Sequence, residues 1–372
     1  MPPTSGEPRR ILVRAPNWVG DAVLCLPALA ALRQRFPAAE VTVLARPTVA
    51  DVFRLRPEAN RVHVFEYRGR HRGLRGVFRL ARELRAQRFD LAVLFQNAFQ
   101  AALIAKRAHI PRRVGYARDA RGPLLTEAIP VPRMGEIPAH ETYYYLELVR
   151  RAGWLRALPR VQHISLTPPP AIVEKMRQRL RYFGLEDETR AQRPRVVMAP
   201  GAQYGSAKCW PVERYAALAD RLVERLNAAV LLCGTPAETR LGEAIAAHMR
   251  RRPMTLVGAT TLEEFLALLP SADLFIGNDS GAMHLAAGVG LPQVIIFGPT
   301  DEQGTGPLNP RARVVKHRVS CSPCFLRHCP IDHRCMRGVS VEEVWRAAEA
   351  ALAEQAARPT PAAEGTSALR LP

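Results

Sequence analysis

A chain of 372 residues with 48% hydrophobic residues can bury a core, which excludes wholesale disorder and, at roughly 100–200 residues per domain, predicts two domains. Its 53 basic and 34 acidic residues leave a formal net charge of +19, so an anionic partner is expected: nucleic acid, a phosphorylated glycolipid or a membrane surface. Aromatics are only 6%, which argues against stacking as the main recognition mode, and no apolar run is long enough to predict a transmembrane helix.

Arg9-Arg10 is followed by a strand at Ile11–Ala15 rather than by the apolar run of a signal peptide, so a cytoplasmic chain is expected. The loop Pro16-Asn17-Trp18-Val19-Gly20-Asp21 follows, then a helix over Ala22–Phe36 that Pro27 should kink. Val41–Ala45, Val62–Phe65 and Leu91–Phe95 read as strands, and apolar residues at 74, 77, 78, 81 and 84 predict a helix over Leu74–Gln87. Pro168-Pro169-Pro170 reads as a linker, and a helix over Ala171–Phe183 follows. The alternation then restarts. Strands are expected at Val196–Ala199, Val230–Cys233, Leu274–Ile276 and Val294–Phe297. Helices are expected at Val212–Leu226, Glu238–Met249, Leu262–Leu269 and Ala282–Gly288. The pattern predicts an α/β fold of two Rossmann-like doubly wound domains facing a central cleft. The domains are placed at 1–167 and 168–340, with a C-terminal helix over 341–356 and a flexible tail over 357–372.

The charge falls unevenly on these domains. Residues 1–167 hold 28 basic and 13 acidic residues, a net of +15, while residues 168–372 hold 25 and 21, a net of +4. The densest stretch, Arg68–Arg88, has eight arginines and one acid, Glu83. Only four of the 53 basic residues are lysines, and one of them, Lys208, lies in a loop that looks built for a phosphate.

That loop, Pro200–Pro211, leaves a predicted strand and carries two glycines, Ser206 and Lys208. Three more loops leave strands of the second domain. In Gly234–Glu238, Glu238 is either an acceptor for ribose hydroxyls or an acid favoured at a helix N-terminus. Leu256-Val257-Gly258 could edge a base with its backbone. Gly277-Asn278-Asp279-Ser280-Gly281-Ala282-Met283-His284 carries the strongest signal, because backbone N–H groups of Ser280 and Gly281 would meet an anion at a helix start. Asp279 is alternatively an N-cap, and His284 a packed helix histidine. Asp21 in the first domain admits two readings, N-cap or general base. Neither G-x-G-x-x-G nor a Walker loop is present, which argues against a dehydrogenase and a P-loop kinase.

Taken together, Ala15–Asp21, the Lys208 loop, Asn278–Ala286 and Phe297-Gly298-Pro299-Thr300 closely resemble the ADP-heptose:lipopolysaccharide heptosyltransferases, which have the GT-B fold, over about Ile11–Leu352. The Asn-Trp-Val-Gly-Asp form, Asn97-Ala98-Phe99 and His140 before Tyr143–Tyr145 look like the heptosyltransferase II branch, although Ala98 stands where that branch often has Ser. The resemblance implies inverting transfer of L-glycero-D-manno-heptose from ADP-heptose to the first heptose of the lipopolysaccharide inner core. Asp21 would be the base, and Asn17, Trp18, Gly20 and Asn97 would meet the acceptor. Lys208, Ser206, Glu238, Val257, Gly258, Asp279, Ser280, Gly281 and His284 would hold the donor. It implies a heptosyl-Kdo2-lipid A type acceptor, a monomer peripheral to the inner membrane, no nucleic-acid partner and no metal in catalysis, and the basic N-terminal domain is expected to meet the inner-membrane surface. Other heptosyltransferases of the family (I or III), a sugar-nucleotide epimerase of similar architecture and a nucleic-acid-binding module are the alternatives.

Cys321, Cys324, Cys329 and Cys335 lie within 15 residues, with His328 and His333 interleaved. A C-x2-C start suggests a structural zinc or iron–sulfur site, but the spacing is too compressed for paired knuckles, so free or redox-variable thiols are the other reading.

Overall fold

The computed structural model describes residues 6–185 and 193–357, so the expected tail lies outside the described residues apart from Ala357. The chain forms two compact units that divide between Val161 and Gln162. The stretch ahead of the triple proline is fastened to the second unit. The Leu166 N–H donates to the Gly288 carbonyl at 2.8 Å, and a Cβ at Gly288 would come within 2.5 Å of the Leu166 side chain.

The first unit is a six-stranded parallel sheet built from β1 (Arg10–Arg14), β2 (Glu40–Ala45), β3 (Arg61–Val64), β4 (Leu91–Leu94), β5 (Arg112–Tyr116) and β6 (Glu127–Ile129). The order is β3-β2-β1-β4-β5-β6. In the central register Val13 lies between Val43 and Val93. Its helices are α1 (Val19–Leu24), α2 (Leu26–Arg35), α3 (Pro47–Arg54), α4 (Gly73–Ala86), α5 (Phe99–Arg107) and α6 (Glu141–Arg151).

The second unit has β7 (Arg195–Ala199), β8 (Ala229–Gly234), β9 (Met254–Val257), β10 (Leu274–Asn278), β11 (Gln293–Phe297) and β12 (Ala312–Lys316), in the order β12-β11-β10-β7-β8-β9. Numbered from its own first strand, this is the same winding as the first unit, and all pairs are parallel. Its helices are α7 (Pro170–Tyr182), α8 (Val212–Leu226), α9 (Thr239–His248), α10 (Leu262–Leu268), α11 (Gly281–Gly288), α12 (Glu302–Thr305), α13 (Arg334–Gly338) and α14 (Val341–Ala356). Helices cover the sheets, so central strands such as β7, β10 and β11 are buried throughout and read as continuous apolar runs. The C-terminal helix α14 is part of this unit, with Val344, Trp345, Ala348 and Ala351 in its core.

Two expected elements are corrected. The helix expected over Ala22–Phe36 is two helices broken at Cys25, which ends α1 and begins α2. Pro27 sits in the first turn of α2, where its missing N–H costs nothing. The helix expected from Glu238 begins instead with a 3-10 turn over Pro236–Glu238, and α9 follows from Thr239.

In this strand order the chain reverses direction across the sheet between β1 and β4, and again between β7 and β10. In open α/β sheets, such reversals are where the loops leaving neighbouring strands part and ligands bind. Asp21 follows β1 and Asn97 follows β4, whereas Lys208 follows β7 and Asp279 follows β10.

Candidate functional site

In the first unit the β1 end is held by a buried arginine. The Arg14 guanidinium donates to the Ala15 and Leu44 carbonyls at 2.5 and 3.1 Å and to Asn17 Oδ1 at 2.8 Å. Burial, aided by Arg46, pushes its pKa down to about 9. Asn17 therefore fixes the loop through Arg14, a role that the sequence pattern did not reveal. Trp18, 39% exposed, is the N-cap of α1, and Asp21 lies inside the first turn rather than at the cap. There the helix macrodipole favours a carboxylate.

Asp21 is surrounded by groups from α6. The Tyr145 hydroxyl lies 3.5 Å from Asp21 Oδ1. Its pKa is raised well above the ordinary value by burial first and the Asp21 charge second. Glu141, at the start of α6, is raised to about 7 by burial and then by Asp21, with Arg118 opposing. Burial and Asp21 also raise the Cys25 thiol. Glu141 and Tyr145 were not legible as site residues, because nothing in their spacing links them to a loop 120 residues earlier.

Asn97, at the β4 end, uses both ends of its amide. Its Nδ2 donates to the Tyr144 hydroxyl at 2.9 Å, and its Oδ1 accepts from Arg121 Nη2 at 3.0 Å. Arg121 is fully buried and also donates to the Tyr116 and Gln96 carbonyls. His140 caps α6 by accepting from the Thr142 N–H at 3.4 Å.

In the second unit, Lys208 and Asp279 meet. Lys208 Nζ donates to Asp279 Oδ2 at 2.5 Å, and the Thr300 hydroxyl donates to the same oxygen at 2.6 Å. Both ionic side chains are largely buried, 12% and 5% exposed. Asp279 is thus not the N-cap of α11; that position belongs to Ser280. The Ser280 side chain makes no capping bond, and among the described residues its buried Oγ has no hydrogen-bond partner. An orphan hydroxyl beside the open N–H groups of a helix start is suited to an anion. The neighbouring Asn278 is fully buried and ties the site together. It donates to the Pro200 carbonyl at 2.6 Å and accepts from the Tyr215 hydroxyl at 3.0 Å and the Trp210 N–H at 3.3 Å. His284 is buried one turn into α11.

Glu238 forms a capping box with Thr235, accepting from its N–H at 2.7 Å and its hydroxyl at 2.9 Å. Its carboxylate lies over Gly201, where a Cβ would stand 1.8 Å from Oε1. Only glycine allows this approach, and it brings the β7 and β8 loops together. Val257 ends β9 and Gly258 follows it exposed, with its N–H donating to the Gly234 carbonyl at 2.9 Å.

The cysteine segment clamps the Lys208 loop. The Ala207 N–H donates to the Arg327 carbonyl at 3.0 Å, the Tyr204 hydroxyl to the Phe325 carbonyl at 2.7 Å, and Ser206 Oγ meets His328 Nδ1 at 3.0 Å. His333 Nε2 donates to the Ala207 carbonyl at 2.6 Å. A Cβ at Gly205 would come within 2.2 Å of the Arg327 carbonyl oxygen. Cys321, Cys324, Cys329 and Cys335 line one small hollow with Ala207, Pro299 and His333. All four are free thiols, and among the described residues no group of three or more His, Cys, Asp or Glu is arranged to hold a metal ion.

Comparison with known proteins gives the family. The model of glycosyltransferase family 9 (heptosyltransferase) matches residues 77–334. Lipopolysaccharide heptosyltransferase 2 of Salmonella typhimurium is 30% identical, over 82% of this chain and 88% of its own. Lipooligosaccharide heptosyltransferase 2 of Haemophilus influenzae is 28% identical over the same shares. The solved Escherichia coli ADP-heptose lipopolysaccharide heptosyltransferase II superimposes with a TM-score of 0.77 at 26% identity, covering 94% of this chain and 100% of that one. The fold is GT-B, and a chain that aligns with these enzymes through both of its sheets belongs to glycosyltransferase family 9, the heptosyltransferases.

Proposed function

We propose that this chain transfers L-glycero-D-manno-heptose from ADP-heptose to the first heptose of the lipopolysaccharide inner core, with inversion at the anomeric carbon. The observation that carries the reading is that each unit has its own switch point, one bearing a carboxylate and the other a lysine and a helix start. The named relatives, heptosyltransferases of the second type, support the choice of acceptor.

In this reading the first unit holds the acceptor and the second the donor. Asp21 takes the proton of the acceptor hydroxyl as that oxygen attacks the anomeric carbon opposite ADP. Its charge, with burial, raises the pKa values of Tyr145 and Glu141 on α6. Negative charge grows on the departing diphosphate, and Lys208 with the Ser280 hydroxyl and the N–H groups opening α11 meets it. Asp279 fixes the position of the Lys208 ammonium. Glu238 accepts from the ribose, and the backbone at Val257-Gly258 edges the adenine. The acceptor is anchored in lipid, so the enzyme works at the inner-membrane surface.

The test is a transfer assay with ADP-heptose against acceptors carrying zero, one or two heptoses. Product from the one-heptose acceptor alone supports the reading; product from the zero-heptose acceptor makes the chain a heptosyltransferase of the first type.

A further inference from the structure

The helix α4 presents an outward face that the site does not use. Val77, Leu80, Ala81 and Leu84 turn inward and pack with Phe65, Phe89 and Leu94 in the core. The opposite face is exposed and carries Leu74, Arg75, Phe78, Arg79, Arg82 and Arg85. The spacing of three and four residues lines these side chains along a single stripe. Arg72, just ahead of the helix, extends it.

Two properties separate this face from ordinary solvated surface. First, its charge is unbalanced: among the described residues no carboxylate lies within ion-pair distance of Arg72, Arg75, Arg79, Arg82 or Arg85. The nearby acid, Glu83, is instead shared by Arg70, His63 and His71. Second, its N-terminal end is apolar. Leu74 is 73% exposed and Phe78 44%, one turn apart, with the Arg107 guanidinium 5.3 Å from the Phe78 ring centre.

We propose that this face docks the enzyme on the anionic surface of a phospholipid bilayer, with Leu74 and Phe78 entering the headgroup boundary and the arginines meeting lipid phosphates. An interfacial helix face needs both elements, an apolar contact and a cationic rim. Nucleic acid would use the arginines but would leave Leu74 and Phe78 in water. The proposal rests on the lipid-anchored acceptor of the preceding subsection and gives that reading a surface.

The test uses the full chain and two variants, Leu74→Ser/Phe78→Ser and Arg75→Gln/Arg79→Gln/Arg82→Gln. Co-sedimentation is measured with vesicles of phosphatidylethanolamine and phosphatidylglycerol, and with phosphatidylcholine alone. The native chain should bind the anionic vesicles, lose binding as salt rises, and ignore phosphatidylcholine. The triple-Gln variant should partition on the order of a hundredfold more weakly, and the Ser pair should also weaken binding while keeping the salt dependence. Transfer to a water-soluble, deacylated one-heptose acceptor should be unchanged in both variants, which separates this proposal from the catalytic one. Vesicle binding that survives both sets of changes overturns it. So does loss only in the arginine variant together with tight binding to single-stranded nucleic acid.

Discussion

The chain places an aspartate after the first strand of one sheet and another after the fourth strand of the other, and it treats them in opposite ways. Asp279 is neutralised: Lys208 and Thr300 share one of its oxygens in a site that is almost closed to water. Asp21 acts on its surroundings, raising the proton affinity of Cys25, Glu141 and Tyr145. A carboxylate bound to a buried ammonium is a strut, and one whose charge is felt by a phenol and a second carboxyl is suited to proton transfer. Sequence alone left each of them a possible N-cap, and the contrast lies in the side chains that α6 and the Lys208 loop bring to them.

The largest expected effect comes from removing the basic oxygen. Asp21→Asn should fold with an unchanged melting temperature and lose about 10²–10⁴-fold in turnover, the range of a positioned general base. Steady-state transfer rates alongside thermal melting check it, and near-normal turnover would collapse the distinction drawn above.

Next is the strut. Lys208→Ala should weaken ADP binding by roughly 10–100-fold, the worth of one charge-assisted hydrogen bond, with the acceptor KM unchanged. It also leaves Asp279 buried without its cation, so the melting temperature should fall. Adding Asp279→Asn should recover the melting temperature but not the ADP affinity. Calorimetric titration and melting of both variants would separate a phosphate ligand from a purely structural ion pair.

How much of this was legible in the sequence can be judged from particular elements. The long, strongly periodic helices α8 and α14 lie where the pattern put them, and the central strands are within a few residues, because burial on both faces writes continuous apolar runs. The outer strands β5, β6, β9 and β12 were missed. β5 (RRVGY) and β12 (ARVVK) carry arginines, and β6 has three residues, so neither period nor apolar run announces them. The helices α3, α5 and α6 were also unread. The three tyrosines of α6 each reach a different partner: Tyr144 meets Asn97, Tyr145 meets Asp21, and Tyr143 accepts from the Val161 N–H. Motif residues such as Lys208 and Asp279 were found because they cluster along the chain. Glu141 acts across folded distance, where no sequence spacing points.

A smaller effect tests the field of Asp21. The neutral form of Glu141 is favoured in the fold, where its pKa rises from the usual 4.5 to about 7. The stability this group contributes is complete below about pH 4.5 and is lost as pH rises through about 7. Glu141→Gln should therefore melt above the native chain at pH 8, with the gap closing toward pH 4.5. Melting curves across that range check the sign, and in the Asp21→Asn background the crossover should move to lower pH.

The smallest effect concerns a residue outside the comparison itself. Ala98 occupies the N-cap of α5 with extended backbone and no side chain to bond the first turn. Ala98→Ser should supply that bond and add about 0.5–1 kcal/mol of stability, read from urea unfolding, with catalysis untouched.

The two sheets share one wiring diagram, strand for strand. Their net charges of +15 and +4 over residues 1–167 and 168–372 show how differently the same scaffold has been finished. Since strand order and register impose no chemistry, the division of labour is written in the short segments after β1, β4, β7, β8 and β10. Selection for a different sugar or a different lipid can thus rewrite a few dozen residues while the frame that folds them is inherited intact.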